Sequence, residues 1–411
     1  MRLSDKSKLK KRTTQIGVGA CKISKRQKSY VQKVLASNRI TFGPMSQQFE
    51  KEFAALHKKR FAVFCNSGTS ALRISIAALK EKYKWKDGDE IIIPALNFVA
   101  DVNVLLQNNL TPVFVDVDPK FYTIDPAKIE SAITPKTRAI IPVHLCGLPC
   151  EMDEIMAIAK KKKIPVIEDV CESLFVSYKG KPVGSFGDIA CFSTYQAHIL
   201  TTGVGGFALT DDPKLAELLR SLMNHGRDGI YITIDDDKVR DKEKLNEIVH
   251  RRFNFIRPGY SFRATEFEAA LGLAALHDGI HTSIEKRNRV AAAFISHLKK
   301  YSTHLQLPKI PARSSHAFMM FPIVVKSDSI TRDELVSFLE DHNIETRYIL
   351  PLINQPYIKK LFGDLSKKYP VSHRINETGF YIGCHEHLSS TDTKYIQAVF
   401  DEFFRLKQIR A

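Results

Sequence analysis

Residues 89–118, DEIIIPALNFVADVNVLLQNNLTPVFVDVD, contain two short apolar runs separated by a segment with helical spacing. The runs EIIIP (90–94) and PVFVD (112–116) are rich in β-branched residues and predict buried strands. Between them, apolar residues recur at helical intervals across 98–108. A strand, a helix and a second strand in this order are typical of two parallel strands joined by a crossover helix. This stretch therefore predicts an α/β fold.

The same alternation extends in both directions along the chain. Five further apolar runs predict strands: FAVFC (61–65), RAIIPV (138–143), IPVIED (164–169), DIACFST (188–194) and GFALT (206–210). Helical spacing accompanies them at 70–82, 125–132, 151–163 and 213–223. Apolar strands that alternate with helices predict a doubly wound, mostly parallel sheet covered on both faces. Such sheets bind ligands beyond the carboxyl ends of their strands, so the residues after each run are the candidates for a site.

The whole chain predicts three parts. Residues 1–29 form a basic N-terminal arm, residues 30–284 a large α/β domain, and residues 285–411 a smaller α+β domain. Within the large domain, the charged stretch 227–258 is poorly patterned and predicts a long excursion or lid. A strong helical pattern resumes over 264–300.

The composition is that of a globular protein. With 411 residues, of which 44% are hydrophobic and 26% charged, the chain has enough core for two or three domains, which excludes a disordered or fibrous protein. No run approaches the roughly 18 apolar residues of a membrane span. The N-terminus lacks the apolar region of a secretory signal, so we expect a cytoplasmic protein. Seven cysteines spread through apolar contexts predict reduced thiols and no metal site.

The net charge of +16 is concentrated at the N-terminus. Residues 1–33 hold eleven Lys and Arg side chains against one Asp, and no apolar face is patterned through residue 20. This predicts a solvated or mobile arm that packs against little and is dispensable for chemistry. The rest of the chain is nearly balanced, which makes nucleic acid an unlikely partner. Its small positive surplus favours an anionic substrate such as a nucleotide diphosphate.

Chemistry-bearing residues follow three of the predicted strands. Residues 66–70, NSGTS, open a helix whose free backbone N–H groups make an anion site, and Gly68 lets a phosphate approach closely. Asp169 ends a predicted central strand, and Ser193 precedes a glycine-rich loop at 202–206. Each signal is weak alone, because a capped turn or a loop acid explains it about as well.

The combination is more specific than its parts. The segments that carry it are GTSAL (68–72), PVFVDVD (112–118), IPVHLCGLP (141–149), IEDVCES (167–173), FST…TTGVGG (192–206), NHGR (224–227) and GYSFRATEFEAALG (259–272). In this order and spacing, from about residue 23 to the C-terminus, the chain resembles the DegT/DnrJ/StrS sugar aminotransferase family. The resemblance implies pyridoxal 5′-phosphate (PLP) or pyridoxamine 5′-phosphate (PMP) as cofactor and the aspartate-aminotransferase fold, fold type I. It also implies a homodimer with shared active sites.

The resemblance implies a role for each candidate residue. Gly68 and Thr69 would hold the cofactor phosphate, and Ser193 would add a hydroxyl. Phe98 would stack on the pyridine ring. Asp169 would pair with the pyridinium nitrogen and keep it protonated, so that the ring accepts electrons.

Two further positions depart from the usual family pattern. Glu172 stands where many members have Gln or His beside the ring hydroxyl, which changes the usual hydrogen bond. Ser261 stands where many members have an Asn that reaches the phosphate of a neighbouring subunit, and its shorter hydroxyl would act through water. The apolar stretch 264–276 follows directly, and we expect it to lie in the dimer interface.

His198 stands where the family has the lysine that binds the cofactor covalently. It lies five residues after Ser193 and eight before Gly206, which is the family's spacing on both sides. No lysine occurs between Lys181 and Lys214. Imidazole cannot replace the amine in that covalent bond, but it acts as a general base near neutral pH.

A minority branch of the family carries histidine at this position. Its members are 3-dehydratases of nucleotide-linked 4-keto-6-deoxy sugars, and the chain also resembles them in Asp169-Val170-Cys171-Glu172 and in GFYIG (379–383). Some of these enzymes hold an iron–sulfur cluster on four cysteines. Only Cys191 is present between residues 190 and 270, so we expect a reaction without a cluster.

The sequence leaves three functions open. The leading one is C3 dehydration of a nucleotide-linked 4-keto-6-deoxy sugar for polysaccharide or lipopolysaccharide biosynthesis, with L-glutamate as the amino donor that forms PMP. The second is a nucleotide-sugar aminotransferase that works without the lysine. The third is a non-catalytic family member that binds a ligand or partner. The intact set of Gly68, Thr69, Asp169 and Ser193 disfavours the third, because a protein without cofactor has no need of it.

Overall fold

Seven strands share one central sheet in the computed structural model, which describes residues 3–228, 239–251 and 253–409. The strands of the described chain are β1 (Phe61–Cys65), β2 (Glu90–Pro94), β3 (Thr111–Val115), β4 (Thr137–Ile140), β5 (Ile167–Asp169), β6 (Ser177–Tyr178), β7 (Lys181–Pro182), β8 (Ile189–Ser193), β9 (Gly206–Thr210), β10 (Leu305–Gln306), β11 (Met320–Val325), β12 (Thr346–Tyr348) and β13 (Gly379–Gly383).

The helices lie on the faces of the sheets and connect their strands. They are α1 (Lys25–Ser37), α2 (Pro44–Leu56), α3 (Gly68–Tyr83), α4 (Ala100–Gln107), α5 (Pro126–Ala132), α6 (Met152–Lys162), α7 (Pro213–Met223), α8 (Lys242–Arg251), α9 (Glu266–His277), α10 (Ile280–Leu298), α11 (Arg332–Asp341), α12 (Pro356–Phe362), α13 (Pro370–Thr378) and α14 (Ser390–Leu406). Short 3-10 turns lie at Leu3–Lys6, Lys299–Tyr301 and Leu352–Asn354. Among the described residues, none of these helices has the length and apolar character needed to cross a bilayer.

The central sheet has the strand order β3-β2-β4-β5-β8-β9-β1. Its two halves are joined by parallel bridges from Ile140 to Val166 and from Val143 to Asp169. The pairs β2–β3, β2–β4 and β5–β8 are parallel, and β9 runs antiparallel to both of its neighbours. The prediction of a mostly parallel sheet is therefore confirmed. The carboxyl ends of β1, β2, β5 and β8 lie at one edge.

Helix α3 shows how the sequence directs this packing. Ser67 caps it, because its Oγ accepts a hydrogen bond of 3.0 Å from the N–H of Ser70. Its apolar residues, such as Leu72 and Ile76, are buried in the core of the large sheet. Burying each such side chain stabilises the fold by about 1.5–3 kcal/mol. The cap fixes where the helix begins, directly beyond the carboxyl end of β1.

The helical pattern predicted over 264–300 forms two helices rather than one. The chain turns at Gly279, whose φ of 86° lies in the left-handed region that favours glycine, and this turn separates α9 from α10. Helix α9 packs against α1 and α2 of the same chain. A Cβ on Gly272 would lie 2.2 Å from the ring of Phe49, so the contact is close. Within the chain, Ala269, Ala270, Leu273 and Ala274 are buried, while the other apolar residues of 264–276 stay partly exposed, so the expectation that this stretch lies in a subunit interface stays a prediction.

A second, antiparallel sheet lies in the C-terminal part of the chain. Its strand order is β10-β11-β13-β12, and it spans residues 305–383, inside the predicted α+β region. Helices α10, α11 and α14 bury aromatic side chains against it, including Phe294, Phe338 and Phe403. The domain limits at 29/30 and 284/285 stay predictions.

The N-terminal arm packs on this second sheet. Ile16 is buried, and its backbone N–H donates a hydrogen bond of 2.8 Å to the carbonyl of Asn343 beside β12. The guanidinium of Arg12 pairs with Asp392 in α14. The expectation that the arm packs against little is therefore wrong. Its apolar residues are too irregularly spaced to form a pattern, yet they fit the aromatic core of the second sheet.

The predicted excursion at 227–258 lies partly outside the described residues, since 229–238 and 252 are not among them. Its described part contains α8, and the guanidinium of Arg251 forms an ion pair of 2.6 Å with Asp228. This pair holds the end of α8 beside the chain that follows α7.

Candidate active site

The structure brings Gly68, Asp169 and Ser193 together at the carboxyl edge of the central sheet. A Cβ on Gly68 would lie 2.9 Å from the Cβ of Ser193 and 2.9 Å from Sγ of Cys171. Asp169 ends β5, and its Oδ1 accepts a hydrogen bond of 2.9 Å from the N–H of Cys171. Cys171 therefore lies next to both Gly68 and Asp169, and the three predicted residues form one cluster.

The first turn of α3 has the character of an anion site. The first N–H groups of a helix have no partner inside it, and the cap on Ser70 leaves those of Gly68 and Thr69 for a ligand. Thr69 is exposed. The end of the glycine-rich loop packs directly against this helix turn, because a Cβ on Gly206 would lie 2.4 Å from the nitrogen of Gly68. Glycine at both positions lets the start of α3 pack directly against β8 and β9.

Asp169 is a buried carboxyl group. Burial raises its pKa, while the hydrogen bonds from Cys171 and the nearby His144 lower it. A cation at this position, such as a protonated ring nitrogen, would stabilise the carboxylate. The side chain therefore suits the role that the resemblance implies for it.

The neighbouring Glu168 has a structural role instead. Its carboxylate accepts backbone N–H bonds of 2.7 Å from Gly184, 2.8 Å from Phe186 and 2.7 Å from Gly187, and it contacts His144 at 3.2 Å. Burial raises its pKa, but these hydrogen bonds outweigh burial and lower the pKa below its usual value. Glu168 is thus a buried anion that fixes the loop before β8.

Glu172 lies in the turn after β5 and is buried. Its carboxylate accepts a hydrogen bond of 2.8 Å from the N–H of Cys146. Burial raises its pKa to about 7, and the charge of Asp169 contributes. A carboxyl group with this pKa both gives and takes protons at neutral pH.

His198 lies in the loop between β8 and β9. Its backbone N–H donates to the carbonyl of Tyr195 at 2.8 Å. Among the described residues, its Nδ1 is buried without a hydrogen-bond partner. Burial lowers the pKa of the His198 imidazole to about 4, and the charge of Arg287 also lowers it. A hydrogen bond with the backbone of Cys171 acts in the opposite direction and raises the pKa, but by less. At neutral pH the imidazole is therefore uncharged and able to accept a proton.

The remaining two predicted residues differ in their surroundings. Phe98 follows β2, and its side chain is 56% exposed, so its ring is free to stack on a ligand. Ser261 is exposed, and its hydroxyl accepts a hydrogen bond of 2.8 Å from the guanidinium of Arg263. Within the described chain, Ser261 has no hydrogen bond to the other predicted residues.

Two further residues of this region have no distinct signal in the sequence. Asp101, in the first turn of α4, is buried, and burial together with the charge of Asp169 raises its pKa well above its usual value. Its signal is a single acid among mainly apolar residues, VADVNVLL (99–106). Arg287 in α10 is also buried, and its guanidinium lies 2.7 Å from Glu386. No local pattern indicates that Arg287 lies close enough to His198 to lower the pKa of its imidazole.

These residues fit the cofactor that the resemblance implies. The N–H groups of Gly68 and Thr69 at the start of α3 suit its phosphate, and the buried Asp169 suits its ring nitrogen. The exposed ring of Phe98 suits stacking, and Nδ1 of His198, which no described residue occupies by a hydrogen bond, is available for proton transfer.

Comparison with known proteins agrees with this geometry. The model of the DegT/DnrJ/EryC1/StrS aminotransferase family matches residues 21–401. GDP-perosamine synthase from Caulobacter vibrioides is 32% identical over 391 residues, which cover 94% of this chain and 98% of that protein. GDP-4-keto-6-deoxy-D-mannose 3-dehydratase from Yersinia pseudotuberculosis is 32% identical over 370 residues, covering 87% and 90%.

Solved structures share the fold. The E. coli GDP-4-keto-6-deoxy-D-mannose-3-dehydratase with bound hydrated PLP matches with a TM-score of 0.82 and 27% identity, covering 94% of this chain and 100% of that one. The fold is thus that of PLP-dependent sugar aminotransferases and dehydratases, which confirms the expected fold class. The chain belongs to the DegT/DnrJ/EryC1/StrS aminotransferase family.

Proposed function

We propose that the protein is a PLP/PMP-dependent enzyme that removes the C3 hydroxyl from a nucleotide-linked 4-keto-6-deoxy sugar. The observation that carries this proposal is His198, an uncharged and half-buried imidazole in place of the family's lysine. Sequence identity alone does not distinguish the two reactions, because a GDP-perosamine synthase and a 3-dehydratase are each 32% identical to the chain.

Five residues of the site would hold the cofactor. The N–H groups of Gly68 and Thr69 bind the phosphate, with the hydroxyl of Ser193 beside them, and Phe98 covers the ring. Asp169 holds the proton on the ring nitrogen. The bound cofactor supplies an electron-accepting ring and, as PMP formed with L-glutamate, an amine that reacts with the C4 ketone of the sugar.

Proton transfer falls to His198 and Glu172. His198 accepts a proton at its Nδ1, which has no partner in the described part of the chain, and as an imidazole it cannot hold the cofactor by a covalent bond. Glu172, with a pKa of about 7, is half protonated at neutral pH and is suited to give a proton to a leaving hydroxide. A lysine at residue 198 would instead take the cofactor back covalently and complete amino transfer. Histidine therefore favours elimination over transamination.

The test of this function is the mass of the product. The protein is incubated with PLP, L-glutamate and a panel of nucleotide-linked 4-keto-6-deoxy sugars that starts with GDP-4-keto-6-deoxymannose. Loss of the C3 oxygen supports the proposal. A product that has gained nitrogen at C4 supports the aminotransferase alternative. If no sugar changes and the protein binds no cofactor, the result supports the non-catalytic alternative.

We also infer that two chains form a homodimer around shared sites. Large apolar side chains are exposed beside the site, namely Phe98 at 56%, Tyr195 at 54% and Val204 at 48%. Large exposed apolar side chains beside polar site residues are typical of a surface that a partner covers. The exposed Ser261 would then act across the interface, as the resemblance implies.

A cytoplasmic location is part of the same proposal. The seven cysteines are unpaired thiols, which suits a reducing compartment. Cell fractionation with antibody detection tests this location, and recovery with secreted or envelope proteins would contradict it.

A further inference from the structure

Asp101 is a second buried carboxyl group at the edge where Asp169 lies, and the proposed mechanism does not use it. It sits in the first turn of α4, beyond the carboxyl end of β2. Its side chain is 1% exposed. An acid in the first turn of a helix is normally at the surface, where it interacts with the helix dipole, so complete burial requires another reason.

The hydrogen bonds around Asp101 leave one of its oxygens without a donor. Oδ1 of Asn97 accepts a hydrogen bond of 2.7 Å from the backbone N–H of Phe98. That donor fixes the orientation of the Asn97 amide, so its NH2 group donates to Oδ2 of Asp101. Oδ1 of Asp101 is buried and has no partner among the described residues. A carboxylate with one donor is costly to bury, whereas a protonated carboxyl group carries no charge.

The charged and titratable groups that face Asp101 are acids and thiols. Asp169 comes from the end of β5, Cys171 from the turn after it and Cys191 from β8. Burial and the charge of Asp169 raise the pKa of Asp101 well above its usual value. His144 acts on Asp169, where it lowers the pKa of that carboxyl group. The surroundings therefore favour one negative charge on the two aspartates, with Asp169 as the anion.

We propose that Asp101 is a positioning residue of the ring-nitrogen site, which keeps a proton on its Oδ1 so that Asp169 is the single anion facing the cofactor. The inference rests on the proposed function, because it takes Asp169 as the partner of the ring nitrogen. A neutral Asp101 matches one positive charge on the ring with one negative charge on the protein. An ionised Asp101 would leave a second, uncompensated charge in the same buried space.

Infrared difference spectroscopy tests the proposal on the full chain with bound PLP. A protonated carboxylic acid has a carbonyl stretch that ionised carboxylates lack. At pH 8.5, where Glu172 is largely ionised, we expect this band in the wild type and its loss in Asp101→Asn. Asp116→Asn is the matched control, because Asp116 is also buried but accepts backbone N–H bonds from Val117 and Ser372. The Asp116→Asn variant should retain the band.

A second variant keeps the test decisive if an aspartate variant does not fold. In Glu172→Gln the band should persist, and its loss there would assign the proton to Glu172 and overturn the proposal. Absence of the band in the wild type, or its persistence in Asp101→Asn, would overturn it as well.

The infrared test uses no sugar substrate, so its outcome is separate from that of the dehydration assay. A protein that dehydrates its substrate but lacks the band would disprove only the role of Asp101. A protein that has the band but does not dehydrate any sugar would disprove only the reaction.

Discussion

Gly68, at the start of α3, lies so close to Ser193, at the end of β8, that a Cβ on residue 68 would stand 2.9 Å from the Cβ of Ser193. The same Cβ would stand 2.9 Å from Sγ of Cys171. Real Cβ atoms do not approach other atoms this closely, so a side chain at residue 68 must push β8 or the turn after β5 away. Both segments carry residues of the proposed cofactor site.

Gly68→Ala should therefore weaken cofactor binding. Relieving such a contact costs about 1–3 kcal/mol of folding stability. Because binding requires β8 and the turn after β5 in their native positions, up to this amount is lost from binding, which is a loss of affinity of up to roughly 150-fold. Titration of the protein with PLP, followed by absorbance, measures the change. Gly19→Ala is the matched control, since a Cβ there would meet the nearest atom of Ala197 at 3.8 Å, an ordinary contact distance. Equal affinity of Gly68→Ala and the wild type would contradict the placement of the phosphate.

The buried position of Ile16 makes the N-terminal arm a structural element. Ile16→Ala should lower the free energy of unfolding by about 2–3 kcal/mol, because it removes buried apolar atoms and leaves a cavity. Chemical denaturation measures the loss. Ile23→Ala, at a residue that is 42% exposed, should change stability by less than about 0.5 kcal/mol. An unchanged free energy of unfolding in Ile16→Ala would show that the arm packs against little.

The sequence predicted the sheet well because each strand is a short apolar run next to a helix. It also led to the cluster of Gly68, Asp169 and Ser193, since parallel strands bring their carboxyl ends to one edge. It did not indicate Asp101, because acids are common in first helical turns and look like dipole partners there. It did not indicate the burial of Ile16 either, since a lone apolar residue in a basic segment has no periodicity to detect.

The raised pKa of Asp101 predicts a stability that depends on pH. Above its ordinary pKa of 3.8, the unfolded chain has released this proton while the folded chain retains it. The folded state therefore binds more protons, and stability falls as pH rises until the folded pKa is passed. The slope reaches about 1.4 kcal/mol per pH unit.

The Asp101→Asn variant has no titrating group at this position and loses this pH dependence. The stability of the variant relative to the wild type should therefore rise between pH 5 and pH 8. Urea denaturation at both pH values measures the difference, and Asp116→Asn again serves as the control. A constant difference between Asp101→Asn and the wild type across this range would show that Asp101 is ionised in the folded protein.

The exposed Val204, in the glycine-rich loop, predicts a shared interface. We expect analytical sedimentation to find a dimer, and Val204→Asp to weaken it at least roughly tenfold, because an unpaired charge is costly to bury at an interface. Leu361→Asp, on α12, changes a residue of similar exposure, 56%, and should leave the dimer intact. A wild-type chain that sediments as a monomer while turning over substrate would contradict the shared site.

The final prediction concerns His198. Because an imidazole cannot bind the cofactor covalently, treating the native protein with borohydride should attach no cofactor to the chain, and dialysis should remove PLP readily. His198→Asn should reduce dehydration by roughly 10²- to 10⁴-fold, the usual effect of losing a general base, while PLP affinity stays within about twofold. His277→Asn, at a partly exposed histidine paired with Glu52, is the control and should change neither quantity. His198→Lys should reverse the borohydride result, since a primary amine at this position can capture the cofactor. A covalent adduct between cofactor and a lysine of the native protein would overturn the assignment of His198, because some other amine would then occupy the position that we give to the imidazole.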